Sequence, residues 1–228
     1  MSQNNWVNSD LMAKETFYIT TPLYYVNAKL HVGHAYTTIL ADVIARYQRA
    51  QGKDVFFLTG TDEHGATNVR AAEAAGVPIE TFVDQNAEAA KELFAALSIS
   101  NDNFIRTSDQ KKHWPGAQMM WKKLQEAGKI YPGVYSGLYC VGHEAFVTEK
   151  DLVDGVCEDH GKEPEIVEEE NYFFKLSRYA SEIERVIAAG ELAIFPESRK
   201  NEILSFIREG VTDVSFSRPA KDIPWGVP

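Results

Sequence analysis

The feature that most constrains the fold is a histidine pair at the junction between a short strand and a long amphipathic helix. Aromatic and β-branched residues at 17–20 predict a strand. A helix is predicted over residues 33–51, because apolar residues recur at helical spacing and Gly52 ends the pattern. The recurring apolar positions are Tyr36, Ile39, Leu40, Val43, Ile44 and Tyr47. His31 and His34 therefore stand at the start of this helix.

The start of a helix is a potential phosphate-binding site, because its first N–H groups are unpaired and carry a partial positive charge. Gly33 leaves room for a nucleotide to approach the backbone. The imidazoles of His31 and His34 can donate hydrogen bonds to a pentavalent phosphate. The pattern favours adenylyl chemistry, although two ordinary helix-start histidines would also fit so short a motif.

Strands and helices alternate through the first part of the chain. Further strands are predicted at 54–58 and Asn103–Arg106, and further helices from Pro78 and from Pro115 to Gly128. Strands separated by helices imply a parallel sheet with a ligand site at the carboxyl ends of the strands. The sequence thus predicts an α/β fold.

Composition excludes several classes of protein. The chain has 228 residues, of which 44% are hydrophobic and 25% charged, as in ordinary soluble globular proteins. Residues 1–15 contain no apolar run, which argues against a signal peptide or membrane anchor, and no segment approaches the roughly 20 apolar residues of a membrane span. A net charge of −10 argues against strong nucleic-acid binding by this chain alone. The expected location is the cytoplasm.

Two further segments carry a resemblance to a known family. They are residues 21–28, before the helix, and residues 57–65, after it. Together with the histidine motif they resemble bacterial methionyl-tRNA synthetases, which are class I aminoacyl-tRNA synthetases, and the resemblance extends from about Thr16 to Pro228. It implies a Rossmann-like nucleotide fold whose parallel sheet is interrupted by a connective insertion. It also implies methionine-tRNA ligase activity, in which ATP activates methionine to methionyl-adenylate before transfer to tRNA(Met).

The resemblance assigns roles around ATP and the substrate amino group. His31 and His34 would contact the phosphates of ATP, which enters with Mg²⁺, and Gly33 would lie beside it. The histidines would stabilise the charge that develops as pyrophosphate leaves. Asp62 would pair with the ammonium group of methionine. A helix N-cap ahead of Ala66–Ala75 is the alternative role for this aspartate.

Three further residues receive roles from the same resemblance. Leu23 and Tyr25 would line the pocket for the methionine side chain, whose thioether suits apolar, aromatic surroundings. Packing in the core is the alternative for both. Arg218 ends a strand that is predicted at 214–218 and would return to the nucleotide fold, and it matches an arginine that acts near the phosphates. A surface salt bridge is its alternative role.

Both cysteines of the chain are followed by a histidine three residues later. The pairs are Cys140 with His143 and Cys157 with His160. Each tight turn could aim two side chains at one point, and two such knuckles would complete a closed tetrahedral site for a structural Zn²⁺. The family usually has a cysteine where this chain has His143. A buried cysteine pair or a disulfide is the alternative, and the cytosol disfavours the disulfide.

The expected domain organisation follows the resemblance. It comprises a flexible extension at 1–15, the first half of a Rossmann-like catalytic domain at 16–129, a connective insertion with the zinc knuckle at 130–212, and the start of a return to the catalytic domain at 213–228. The family's Lys-Met-Ser-Lys-Ser loop and anticodon-binding domain have no counterpart here. The chain is therefore expected to be an N-terminal fragment, inactive alone, with tRNA(Met) contacted mainly by absent C-terminal regions.

Two other interpretations remain open from the sequence. One is a different H-x-G-H nucleotidyltransferase, which would share the phosphate chemistry on a similar fold. The other is a non-catalytic fragment that only binds ATP or methionine.

Overall fold

The computed structural model describes residues 14–140, 145–147, 152–157, 161–220, 223 and 225–228. The chain divides into two compact units between Gln118 and Met119, and Trp225–Pro228 belongs to the first unit. The predicted domain limits at 15, 129 and 212 stay predictions. In the part of the chain that the structure describes, no helix has the length and apolarity that crossing a bilayer requires.

The first unit is built on a parallel sheet. Its elements are β1 (Thr16–Thr20), β2 (Tyr24–Tyr25), α1 (Val32–Ala50), β3 (Asp54–Asp62), α2 (Ala66–Ala75), α3 (Ile79–Ala96), β4 (Asn103–Arg106) and α4 (Trp114–Glu126), within which the division falls. Strand β3 is central, because β1, β2 and β4 each pair with it in parallel. The predicted parallel α/β arrangement is confirmed.

Strand β3 is longer than the sequence predicts. The prediction ended at Leu58, but the strand continues to Asp62 because two more strands pair with its second half. Asn103–Arg106 pairs with residues 58–61, and β2 pairs with the last two residues. The extension places Asp62 at the carboxyl end of the central strand.

The core of the first unit lies between α1 and β3. Phe57 is fully buried and packs with Val55 against Ala41 and Ala45 of the helix. The small alanines let the helix approach the sheet closely. The large apolar residues that predict the helix are instead exposed: Tyr36, Ile39, Leu40, Val43, Ile44 and Tyr47. The apolar stripe therefore predicts the helix correctly but is not its buried face.

The second unit is built on an antiparallel sheet. Its elements are β5 (Ile130–Cys140), β6 (Ala145–Val147), β7 (Leu152–Val153), β8 (Val156–Cys157), β9 (Glu165–Phe174), α5 (Ala180–Ala188), α6 (Glu197–Gly210) and β10 (Val214–Ser215). Strands β5 and β9 form a long ladder, and β6 and β10 extend the sheet. Helix α6, which the sequence analysis did not predict, packs against α5 through Ile187, Leu204 and Ile207.

The prediction of a strand at 214–218 that returns to the parallel sheet is wrong on two counts. The strand covers Val214–Ser215 only, and it pairs antiparallel with Phe173 and Phe174 of β9. The reason is that the end of β9 offers β10 an unpaired backbone edge next to the β5 ladder.

Candidate active site

His31 and His34 cap the start of α1 by binding each other's backbone. His31 is the N-cap residue, and its Nδ1 accepts a hydrogen bond from the N–H of Gly33 at 3.0 Å. In return, Nδ1 of His34 accepts from the N–H of His31 at 3.0 Å. The two ring centroids are 4.0 Å apart. This arrangement is a capping box in which imidazoles replace the usual hydroxyl and carboxylate.

The cap fixes the tautomer of both rings. Because each Nδ1 accepts a backbone hydrogen bond, the proton of each neutral imidazole is on Nε2. Burial lowers the pKa of His34 below its ordinary value, and the nearby His31 lowers it further, which favours the neutral ring. His31 is exposed and His34 half-buried. The helix start thus presents two Nε2–H donors in addition to its own partial positive charge.

Gly33 is required by the cap itself. A Cβ atom at this position would lie 3.1 Å from Nδ1 of His31 and 2.8 Å from its Cε1, and the second distance is closer than such atoms approach in proteins. The ring of His31 would have to move. The close approach of ring to backbone is therefore a structural reason for glycine here, and the room for a nucleotide stays a prediction.

His34 is also supported from the core side. The ring of Tyr24 meets its ring edge-on, with centroids 4.9 Å apart. The hydroxyl of Thr38 donates to the backbone carbonyl of His34 at 2.9 Å, and Tyr24 Oη lies 2.9 Å from the same hydroxyl oxygen. Tyr24 and Thr38 are buried, so they hold His34 in a fixed position.

Asp62 and Tyr25 lie side by side at the end of the parallel sheet. They are a register pair between β3 and β2, and paired residues project to the same face of a sheet. Tyr25 also adjoins Gly65, where a Cβ would meet its Cε1 at 3.3 Å. Among the described residues, no hydrogen bond or ion pair involves the carboxylate of Asp62. Its alternative role as a helix cap is wrong, because Gly65 is the N-cap of α2.

Leu23 and Tyr25 are surface residues rather than core residues. Their side chains are 36% and 55% exposed, whereas Tyr24 and Val26 are buried. The alternative in which both belong to the core is therefore wrong. Tyr25 and the partly exposed Asp62 lie together at the sheet end, and the exposed Leu23 comes two residues before Tyr25 in the chain.

A buried carboxylate next to Asp62 was not predicted from the sequence. Glu63 is fully buried and accepts hydrogen bonds from Arg106 Nε at 2.7 Å and Arg106 Nη2 at 2.9 Å. Arg106 is also 2.6 Å from Asp84, and these hydrogen bonds raise the pKa of its guanidinium. The position of Arg106 at the end of a predicted neighbouring strand was the available signal, since parallel strands end at the same edge.

Two more polar groups near this edge were missed. His64 Nε2 and Asn68 Oδ1 are buried and make no hydrogen bond to the described residues. Burial lowers the pKa of His64 most strongly; nearby Asp62 and Glu63 oppose that shift. The ring of His64 lies 6.5 Å from that of Trp225, between centroids. The sheet end thus combines the carboxylates of Asp62 and Glu63, the imidazole of His64 and the amide of Asn68.

Arg218 belongs to the second unit. Its side chain is exposed, and Nη1 donates to the carbonyl of Ser217 at 2.7 Å. Within the described ranges Arg218 forms no ion pair, so its alternative role in a surface salt bridge is not observed.

The two cysteines are buried, and each is the last residue of a strand. Cys140 ends β5 and pairs with Ala145 of β6. Cys157 ends β8, where its carbonyl accepts from the N–H of Gly161 at 2.8 Å and its N–H donates to Lys162 at 2.9 Å.

The predicted zinc site is described only in part. His143 and His160, the other two predicted ligands, lie outside the described residues. Within the described residues, no group of three or more histidine, cysteine or acidic side chains is arranged to hold a metal. The disulfide alternative is wrong, because both cysteines are thiols.

Comparison with known proteins gives a consistent result. The family profile for tRNA synthetases class I (M) matches residues 17–160 and 147–228. The methionine–tRNA ligase of Clostridium tetani is 48% identical over 218 residues, covering 95% of this chain and 34% of that protein. The corresponding ligase of Thermotoga maritima is 44% identical over 216 residues, covering 93% and 34%.

A solved structure agrees with these relatives. Mycobacterium tuberculosis methionyl-tRNA synthetase in complex with methionyl-adenylate aligns with a TM-score of 0.79 and 42% identity, covering 90% of this chain and 41% of that one. The chain spans about a third of the length of the curated relatives it matches.

Proposed function

Because this chain belongs to the class I tRNA synthetases of the methionine type, we propose that it supplies part of the active site of a methionine-tRNA ligase. The ligase joins methionine to ATP as methionyl-adenylate, releases pyrophosphate, and transfers the methionyl group to tRNA(Met). The observation that supports this most directly is the pair of Nε2 donors fixed at the start of α1.

The histidine pair would act on the phosphates of ATP. The carboxylate of methionine is already ionised, so its attack on the α-phosphorus requires no general base. As the bond to pyrophosphate breaks, negative charge grows on the phosphate oxygens. His31 and His34 would donate to these oxygens through Nε2, and their fixed orientation avoids reorganisation during the reaction. ATP would enter as its Mg²⁺ complex.

Asp62 would bind the ammonium group of methionine. Its carboxylate has no ion pair among the described residues and lies next to Tyr25 on the same face of the sheet. A carboxylate is the natural counterion for an ammonium group that loses its water on binding. The exposed side chains of Leu23 and Tyr25 would contact the thioether side chain.

A structural zinc ion is part of the proposal. Cys140 and Cys157 are buried thiols at the ends of strands, where they could serve as soft thiolate ligands, and His143 and His160 would complete the set. Four protein ligands leave no position for a substrate, so the ion would stabilise the second unit only. Binding of tRNA(Met), a cytoplasmic location and a catalytic role for Arg218 are proposals from the family.

Methionine-dependent exchange of pyrophosphate into ATP tests the proposed function. The assay should use a full-length synthetase that carries these residues. We expect exchange with methionine and little with leucine or without an amino acid. A different nucleotidyltransferase would ignore methionine, and a non-catalytic binding protein would show no exchange under any condition.

A further inference from the structure

Side chains hold the backbone at the point where the sheet ends, around Asp62 and Glu63. Strand β3 ends at Asp62, whose carbonyl accepts from Asn68 Nδ2 at 3.2 Å. The N–H of Glu63 donates to Thr107 Oγ1 at 2.8 Å, and its carbonyl accepts from Trp225 Nε1 at 3.2 Å. These contacts satisfy backbone groups at and beyond Asp62, which forms the last register pair of β3 with Tyr25.

The side chain of Glu63 anchors the same segment more strongly. Besides the two hydrogen bonds from Arg106, its carboxylate accepts from Thr61 Oγ1 at 2.7 Å and from Ser108 Oγ. Four donors thus satisfy a carboxylate that is fully buried. An apolar side chain of similar size would fill the space without the desolvation cost, so stability alone does not account for a buried ion pair. A bidentate pair does fix geometry.

The direction of the side chains connects this anchor to substrate binding. Thr61 and Glu63 are fully buried on one face of the strand, whereas Asp62 between them is partly exposed and pairs with Tyr25 on the other face. A strand that is held on its buried face by a rigid ion pair presents the next residue in one orientation. We propose that the Glu63–Arg106 ion pair is a positioning device that sets the Asp62 carboxylate for the ammonium group of methionine. This inference rests on the proposed function.

Glu63→Gln in a full-length synthetase tests the inference. Glutamine keeps the size and one acceptor oxygen but removes the charge, and Arg106 retains Asp84 as a counterion. We expect the KM for methionine to rise on the order of 10-fold to 100-fold, as for a slightly misplaced contact, while the KM for ATP stays within about twofold. The preference for methionine over its analogue with hydrogen in place of the amino group should fall in parallel. A merely structural role would not give this selective pattern.

Two comparison variants make the result specific. Asp84→Asn removes the second ion pair of Arg106, whose acidic partner Asp84 is 65% exposed. This variant should leave the KM values for methionine and ATP near those of the wild type. Asp62→Asn should weaken methionine binding directly. Combining Asp62→Asn with Glu63→Gln should be no worse than Asp62→Asn alone, because one residue acts through the other.

The kinetics of the Asp62 and Glu63 variants distinguish failure of the positioning role from failure of the proposed function. If Asp62→Asn weakens methionine binding and Glu63→Gln does not, the positioning role is wrong and the proposed function stands. If Asp62→Asn has no effect, the proposed role of Asp62 fails and the inference fails with it. Equal increases in both KM values would also overturn it. Should Glu63→Gln fail to fold, Ser108→Ala removes one donor to Glu63, and it should give a smaller selective increase in the KM for methionine.

Discussion

The Nδ1 atom of His34 accepts a hydrogen bond from the backbone N–H of His31, 3.0 Å away, so one ring both caps the helix and presents an Nε2 donor. The two roles can be separated by substitution. In a full-length synthetase, His34→Ala should reduce methionine-dependent pyrophosphate exchange on the order of 10²-fold, the usual effect of losing one preorganised donor. His34→Asn offers an acceptor near the Nδ1 position and should restore helix stability without restoring exchange. An exchange rate of His34→Ala within about threefold of wild type would contradict the assignment.

The same ring gives the stability of the chain a pH dependence. Burial and the neighbouring His31 lower the pKa of His34 below the ordinary value of 6.5, so the unfolded chain binds the additional proton more readily. The contribution of His34 to the free energy of unfolding is therefore fully present above pH 6.5. It is lost as the pH falls below 6.5 towards the pKa of His34 in the folded chain. His64 shifts in the same direction. Thermal melting from pH 8 to 5.5 should show a smaller acid decrease for His34→Asn than for wild type; equal decreases would exclude His34 as a source (the range brackets an ordinary histidine pKa of about 6.5).

Alanine substitutions at Gly33 and Gly65 should separate the ATP-binding part of the proposed site from the methionine-binding part. Gly33→Ala should displace the ring of His31 and raise the KM for ATP, because the new Cβ would lie 2.8 Å from Cε1 of that ring. Gly65→Ala should act on methionine instead, since its Cβ would meet Tyr25 at 3.3 Å. Gly116→Ala is the matched control, because nothing lies within 4 Å of its added Cβ. Steady-state kinetics of the three variants measures the difference, and identical effects of the first two would refute the division.

The proposed site at Cys140 and Cys157 predicts that the protein contains zinc. Protein purified without chelator should contain about one zinc per chain, and strong chelators should increase hydrogen exchange within residues 130–170. Cys157→Ser should lose the metal while α1 and β3 keep their protection from exchange. Cys157→His retains a zinc ligand and should keep part of the metal. Zinc-free wild-type protein would count against the site.

The 228-residue chain by itself is expected to be inactive. It contains no Lys-Met-Ser-Lys-Ser sequence, and the family holds the transition state of activation from both halves of its nucleotide fold. We expect no measurable methionyl-adenylate and no charging of tRNA. The exposed apolar residues of α1 should make the isolated chain associate at high concentration, which sedimentation can measure. Robust aminoacylation by these residues alone would disprove the prediction.

Local patterns predict the elements of this chain better than their packing. The limits of α1 and β4 agree with the sequence within about one or two residues, as expected where periodicity and turn residues coincide. The buried face of α1 was not predictable, because Ala41 and Ala45 carry no strong hydrophobic signal. The Glu63–Arg106 pair was missed because its residues are 43 positions apart and meet only when β3 and β4 pair. For the same reason, the sheet that β10 joins could not be read from its sequence.

The reciprocal cap has a consequence for metal selectivity. Two histidines three residues apart on a helix could chelate copper, nickel or zinc, which imidazole nitrogens bind well. Here a metal at Nε2 would require each ring proton to move to Nδ1, where it would face a backbone N–H at 3.0 Å, donor against donor. Metal capture would therefore break both hydrogen bonds of the helix start. The cap that directs two Nε2–H donors outward therefore also disfavours the binding of transition-metal ions.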